Sequence, residues 1–352
     1  MQRRTFLTAT IIDVAKRAGV STRTVSRVVN QQGEITEETR ARVQAVIDEL
    51  GYRPNILARS LVSQRSNMLG VVTWGLDYYA PSRIVVGIEQ RASELGYSLF
   101  LQLISHPTDA GAEKILNTLA DHRVDGIIWA IPEVGGNHEW IQGIPLDNFP
   151  PIIFLNTRPQ STFDSIAVDN RKGAELATQH LIEQGCQHIG LIKGPQDWWE
   201  AEERFAGWQA ALTQAGREIS PRSVVEAEWS VELGQQAMQR LLAQAPELDG
   251  VFASSDDIAL GALTAARPAG RRIPQDLALV GFDNIPQSAY FQPPLTTIDQ
   301  PLSRTGRAAV DLLLERIGER RSQKGRAAAS ASPKAMQLEP RLVVRASSGS
   351  FK

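Results

Sequence analysis

Apolar residues near the amino terminus recur at helical spacing. Thr10 is placed to cap a helix with Asp13 three residues on, an imperfect capping box, and Ile12, Val14 and Ala15 supply apolar positions up to Gly19. Gly19 permits a tight turn, and Ser21 is a cap for a second helix whose Val25, Val28 and Val29 share one face. Thr22, Arg23, Ser26 and Arg27 lie on the other side. A third helix starts at Thr36, carries Glu37 and Glu38 in its positive first turn, and ends before Gly51. Two helices joined by a Gly-containing turn, the second exposing Thr and Arg near its start, form a helix-turn-helix. A small three-helix bundle with a merely solvated polar face has the same periodicity, so charge has to decide between them.

From Met68 the pattern changes to apolar runs of strand length alternating with amphipathic stretches. Runs 68–72, 98–103, 126–131 and 152–155 read as buried strands, with helices near 83–95 and 109–121 separating the first three. A second series follows, with strands at 188–192, 224–228, 250–253 and 277–282 and helices near 170–184, 202–215, 232–243 and 257–266. This alternation predicts parallel sheets covered on both faces. The run Val124-Asp125-Gly126-Ile127-Ile128 is echoed by Leu248-Asp249-Gly250-Val251-Phe252, so two similar lobes lie in tandem with a cleft between them. Residues 297–318 are expected to return to the first lobe, and 338–345 to add one late strand. Ligands of open α/β sheets bind beyond the carboxyl ends of the strands, which makes the cleft the default site.

Length and charge sharpen this picture. The 352 residues allow two to three domains, and 42% hydrophobic with 22% charged residues is an ordinary globular composition. Residues 1–67 hold eleven basic and six acidic side chains, a net of +5, against 26 basic and 33 acidic in the remainder. A basic head on an acidic body points to a polyanion partner for the head alone, and with the exposed Arg it favours DNA over a merely solvated bundle. The single cysteine, Cys186, excludes an internal disulfide and any Cys-cluster metal site. The five histidines show no metal spacing, and neither a phosphate loop nor a nucleophile elbow appears, so an enzyme is not expected, nor a cofactor. No apolar run is long enough to span a membrane. Arg3-Arg4-Thr5-Phe6-Leu7 superficially resembles a twin-arginine signal, but Asp13, Lys16 and Arg17 cut the apolar region that should follow; an unstructured basic arm and a cytoplasmic protein are expected.

The run from Ile12 to Asn30, IDVAKRAGVSTRTVSRVVN, with Gly51-Tyr52-Arg53-Pro54-Asn55 and Ala58-Arg59-Ser60-Leu61 after it, resembles the lactose-repressor (LacI/GalR) family of bacterial transcription regulators. The resemblance spans about 12–346. It implies an N-terminal all-α helix-turn-helix head (10–53), a hinge helix and linker (54–67), and an α/β periplasmic-binding-protein-like core of two doubly wound parallel-sheet lobes (68–346). The first lobe is expected over about 68–167 and 298–330, the second over about 168–297 and 336–346, with the chain crossing between them three times. It implies a homodimer on double-stranded, near-palindromic operator DNA, with hinge helices that order on DNA and insert Leu61 into the minor groove. Arg23 and Arg27 can each offer a bidentate fork to guanine, and Thr22 can meet a thymine methyl. Thr10, Ser21, Ser26, Asn30, Asn55, Ala58 and Arg59 complete the expected DNA-contacting set, Ser21, Asn30 and Arg59 chiefly as phosphate or structural contacts.

In the body, Asp197–Trp208 carries three tryptophans. Trp208 reads as core, whereas Trp198 or Trp199 is placed to line the cleft, where indole faces stack on sugar rings or nucleobases. Arg204 and Asp283 align with the family's effector-binding arginine and aspartate; the plainer role for each is a salt bridge or strand-end cap. Asn156, Trp229, Ser255 and Gln300 are carried over from matching positions of a galactoside-responsive member, as are Pro81 at a helix start and Ile84. Asn156 and Ser255 differ from that member's residues, and Trp74 with Asp77-Tyr78-Tyr79 adds bulk near the cleft mouth. Asp256 and Asp257 read as helix-terminus residues. The expected effector is a sugar or glycoside; the alternatives are a purine-type, co-repressor-dependent regulator and a sugar-binding transport component. After Arg345 no leucine heptads follow, so a dimer rather than a tetramer is expected.

Overall fold

The computed structural model describes residues 9–29, 33–52, 65–109, 111–160, 162–322 and 332–349. Residues 9–52 form three helices, α1 (Ile11–Ala18), α2 (Thr22–Val29) and α3 (Glu37–Leu50). The Thr10–Asp13 capping box is complete, and Gly19 and Gly51 end α1 and α3 in the left-handed conformation that a missing Cβ makes accessible. Val14, Ala15, Ala18, Val25, Val28, Val43 and Val46 form a small core. An Arg17–Glu49 ion pair (2.8 Å) ties α1 to α3 at the surface.

The remainder of the chain, from Asn67, builds two six-stranded sheets of matching topology. The first combines β1 (Met68–Thr73), β2 (Ser98–Leu103), β3 (Gly126–Ala130), β4 (Ile152–Leu155) and β5 (Asp164–Val168) with a late strand, β11 (Ala335–Leu338), in the order β11-β5-β4-β3-β1-β2. The second combines β6 (Ile189–Lys193), β7 (Val224–Glu226), β8 (Gly250–Ala253), β9 (Ala278–Asp283) and β10 (Thr296–Asp299) with β12 (Arg341–Val343), in the order β12-β10-β9-β8-β6-β7. All pairings are parallel except β10 with β12. Because every central strand is covered on both faces, its residues are apolar on both sides. Val71, Ile128, Ile153 and Ile166 pack under α4 (Tyr79–Glu94) and α10 (Leu302–Ser322), while Val72, Ile127 and Phe154 pack against α5 (Ala112–Asp121). In the second lobe, α6 (Asn170–Glu183) and α7 (Trp199–Gln214) cover one face and α8 (Val231–Gln244) and α9 (Asp256–Ala266) the other.

The chain passes between sheets after β5, after β10 and after β11. Two expected boundaries are corrected. The late strand expected within 338–345 is β12, which joins the second sheet, but the second lobe does not resume from 336, because β11 pairs with β5 in the first sheet. Glu339-Pro340 breaks the run, since proline cannot donate to a ladder. The return to the first lobe, expected from 298, follows the end of β10 at Asp299. Helix α4 also starts earlier than expected, with Pro81 inside its first turn, where backbone N–H groups have no helical partner to lose.

Candidate functional site

In the head, Ser21 Oγ accepts the Thr24 N–H (3.1 Å), so this side chain caps α2. Thr22, Arg23 and Arg27 are exposed and Ser26 is half-buried, on the side opposite Val25 and Val28. Thr10 is exposed, and its hydroxyl is engaged with Asp13. Asn30, Asn55, Ala58, Arg59 and Leu61 lie outside the described residues.

The core contains a cleft of about 790 Å³, counting its part open to solvent. Its lining comes largely from the carboxyl ends of strands of both sheets. Trp74 follows β1, Ala130 ends β3, Leu155 and Asn156 end and follow β4, Ser255 follows β8, and Asp283 ends β9. Tyr78, Tyr79, Ala80, Pro81 and Ile84 add the start of α4, and Trp198, Glu200 and Arg204 the start of α7. Trp229 completes the aromatic set. Gly194 makes room for it, because a Cβ there would lie 2.0 Å from the indole. Rings from the two lobes meet across the cleft at Trp74 and Trp198, 5.4 Å apart between centroids, and Trp198 stands 5.8 Å from Trp229 of its own lobe.

Arg204 is 5% exposed. Its Nε donates to Asn170 Oδ1 (2.8 Å) and its Nη1 to the Ser254 carbonyl (2.5 Å), while the guanidinium lies 3.9 Å from the Phe282 ring centre. Those contacts fix the fork and leave Nη2 uncommitted among the described residues. Asp283 has φ 120°, a conformation that costs a non-glycine residue about 1–3 kcal/mol and that concentrates at functional sites. Gln300 Nε2 donates to its Oδ1 (2.6 Å). Burial pushes the Asp283 carboxyl up to about 7 against the opposing pull of Arg204. Burial likewise raises Glu200 and Asp257, and lowers Arg204 from its high ordinary value.

Of the residues singled out from sequence, Pro81, Ile84, Asn156, Trp198, Arg204, Trp229, Ser255 and Asp283 line the cleft together. Two do not. Trp199 is buried at the start of α7, outside the lining, because its helical position turns it away from that of Trp198; Gln300 sits behind Asp283 and holds it. Trp208 is fully buried core. Ser255, rather than either aspartate, caps α9. Asp256 is buried, accepting from Thr297 Oγ1 (2.5 Å) and the Ile285 N–H (2.9 Å). Asp257 and Glu200 reach the cleft unannounced. The cap position that marks Asp257 as structural is occupied by Ser255, and Glu200 follows a tryptophan pair that draws attention from it.

The lobes also touch beside the cleft. Val134 and Trp198 form an antiparallel bridge, with the Gly135 N–H donating to the Asp197 carbonyl (2.8 Å) and the Trp199 N–H to the Glu133 carbonyl (3.1 Å). Arg158 pairs with Glu133 of its own lobe (3.2 Å) and Glu202 of the other (2.5 Å). Among the described residues no helix is long and apolar enough to cross a membrane, and no group of three or more metal-ligating side chains occurs.

Residues 10–55 match the family model described as bacterial regulatory proteins, lacI family, and residues 178–348 match that of a periplasmic binding protein-like domain. The chain is 36% identical over 345 residues to the HTH-type transcriptional repressor PurR of Pasteurella multocida, covering 96% of this chain and 98% of that protein. It is 37% identical to the PurR repressor of Pectobacterium atrosepticum, over 89% and 92%. Among solved structures it resembles the lac repressor dimer bound to operator and the anti-inducer ONPF, with TM-score 0.84 and 32% identity over 97% of this chain and 99% of that one. The complex of the transcriptional regulator CelR with cellobiose aligns at TM-score 0.70 and 32% identity, over 96% and 99%. With a helix-turn-helix head and a two-lobed core that match these relatives nearly end to end, the chain belongs to the lacI family of bacterial regulatory proteins, the ligand-responsive transcription regulators that bind DNA.

Proposed function

We propose that this protein is a dimeric repressor whose hold on a near-palindromic operator is set by a small ring-shaped effector bound between the lobes. The observation that carries the reading is the cleft itself. Helix α7 and the end of β9 bring a fixed guanidinium, Arg204, and a strained carboxylate, Asp283, into one aromatic-walled space closed by strand ends of both sheets. A ligand shifts the protein only if it prefers one lobe arrangement, so its contacts have to bridge both walls. In the head, Arg23 and Arg27 read guanine edges, and the hinge with Leu61 orders on DNA and bends it. Leu61→Ala should therefore remove most operator preference and leave salt-sensitive non-specific binding; unchanged discrimination would end the wedge role.

Two effector classes fit. The relatives carrying the PurR name favour the purine-type, co-repressor-dependent reading over the sugar expected from sequence. Flat bases stack on Trp198 and Trp229, and ring N–H groups donate to the carboxylates. A sugar or glycoside is the second reading, supported by the CelR–cellobiose relative and by the Arg204–Asp283 pair, which suits vicinal hydroxyls. A sugar-binding transport component is disfavoured by the lacI-family match over 10–55. A thermal-shift screen of purines against mono- and disaccharides separates the two, because a ligand at a hundred times its Kd stabilises by about 2.7 kcal/mol. Purine hits that strengthen DNA binding support the first reading. Sugar hits with purines silent overturn it in favour of the second.

A further inference from the structure

The cleft carries more acceptor capacity than its two effector classes require. Asp283 is already served by Gln300 and faces Arg204. Glu200 and Asp257 also line the space, and neither has a hydrogen-bond or ion-pair partner among the described residues. The guanidinium of Arg204 is largely spent on Asn170, Ser254 and the Phe282 ring. Arg204 lends Glu200 only a long-range attraction and Asp257 none, so two carboxylates face a ligand with no hydrogen bond or ion pair of their own among the described residues.

The aromatic lining supplies an independent observation. Trp74 is 8% exposed, lines the same cleft, and has no partner for its indole N–H. Its ring stands 5.2 Å from Tyr78 and 5.4 Å from Trp198, with Trp229 beyond. Aromatic faces attract cations and polarised N–H groups, most strongly where water is excluded. Trp198 and Trp229 stand on the same wall as Glu200 and Asp257, and Trp74 and Tyr78 face them from the other, so faces and carboxylates favour the same ligand group.

We infer that Glu200 and Asp257 are specificity residues that select an effector bearing an amino group and reject one bearing an oxo group in its place. The inference rests on the reading of the cleft as the effector site, and it holds for either ligand class. An amino group, neutral on a base or protonated on a sugar, donates to the free carboxylates. An oxo group at the same position sets acceptor against acceptor and leaves buried lone pairs unmatched. Burial raises both carboxyls because desolvation penalises their charged forms, and a bound donor offsets part of that penalty.

The test uses two matched series as probes on the full-length protein: guanine, hypoxanthine and xanthine, varied at C2 of the base, and glucosamine, glucose and 2-keto-glucose, varied at C2 of the sugar. Affinity is measured by calorimetry for wild type, Glu200→Gln, Asp257→Asn and the double variant. The amino member of at least one series should bind about tenfold or more tightly than its parent, the worth of one charge-assisted hydrogen bond. The oxo member should bind weakest, and the double variant should bring the preference below about twofold. Members that bind without an amino preference, or a preference unchanged in the double variant, overturn the inference and leave the cleft reading standing. If no member of either series binds wild type at millimolar concentration, this inference falls, while the screen of purines against mono- and disaccharides decides the cleft reading. The substitutions are isosteric, and matching thermal transitions without ligand show that the variants are folded.

Discussion

The two lobes share a strand order yet bring unlike chemistry to the cleft. The first supplies Trp74, Tyr78, Tyr79, Ala80, Pro81, Ile84, Ala130, Pro132 and Leu155, with Asn156 as its polar member. The second supplies every charged residue, Glu200, Arg204, Asp257 and Asp283, on helices and strand ends that also hold Trp198 and Trp229. On the proposed reading, one wall shapes the ligand and the other recognises it. A ligand held by the second lobe alone would satisfy its polar groups and remain open to water; closure against the first lobe removes the water and strengthens those bonds. That dependence gives a ligand its differential affinity for the closed arrangement.

Breaking the charged wall should have the largest effect. Arg204→Ala is expected to weaken the effector at least about 100-fold, since it strips a buried charge from the site and leaves Asp283 without its counterion. It should leave DNA affinity without ligand unchanged; calorimetry and a DNA titration in parallel check both, and a normal ligand response would remove Arg204 from the site. Thinning the shaping wall should cost less. Trp74→Ala removes stacking area without an ionic partner and should weaken the effector about tenfold, within the range for losing one aromatic contact. If it exceeds the Arg204→Ala effect, the division between walls is wrong.

Acidity sharpens the comparison further. The carboxyl of Asp283 is near 7 when folded and near 4 when unfolded, so between those values the native state holds a proton that the unfolded state has lost. Stability from this group is therefore present at low pH and declines as pH rises from about 4 to 7. Melting temperatures of wild type and Asp283→Asn without ligand should diverge in favour of the variant across that window. Parallel curves would show that Asp283 is charged throughout. The smallest effect belongs to the contact beside the cleft: Arg158→Ala loses pairs half open to solvent and should shift stability by no more than about 1 kcal/mol.

What was legible in the sequence follows from which forces act locally. Helix caps, the glycine terminators and the apolar strand runs are short-range signals, and α1 to α3 and the central strands lie where those signals put them. The split of 335–343 between two sheets was not legible, because edge strands of three or four residues carry too few apolar positions to reveal their partner. At the cleft, Arg204 and Asp283 were found through family resemblance, while Glu200 and Asp257 carry no local mark. A charged residue in the first turn of a helix reads as a favourable dipole contact whether it faces solvent or a ligand. Only the meeting of two lobes distinguishes those cases.

The three passages of the chain between sheets bear on how the protein is made. The head closes its core with Val43 and Val46, early in synthesis, and needs nothing that comes later. Neither lobe has that independence. The first waits for α10 and β11, which emerge only after almost the whole second lobe, and the second waits for β12. A nascent chain thus carries an incomplete first sheet, its α4 face uncovered, through most of translation. A stop codon near residue 335 would take one edge strand from each lobe at once, so a single break there would strike both sheets together.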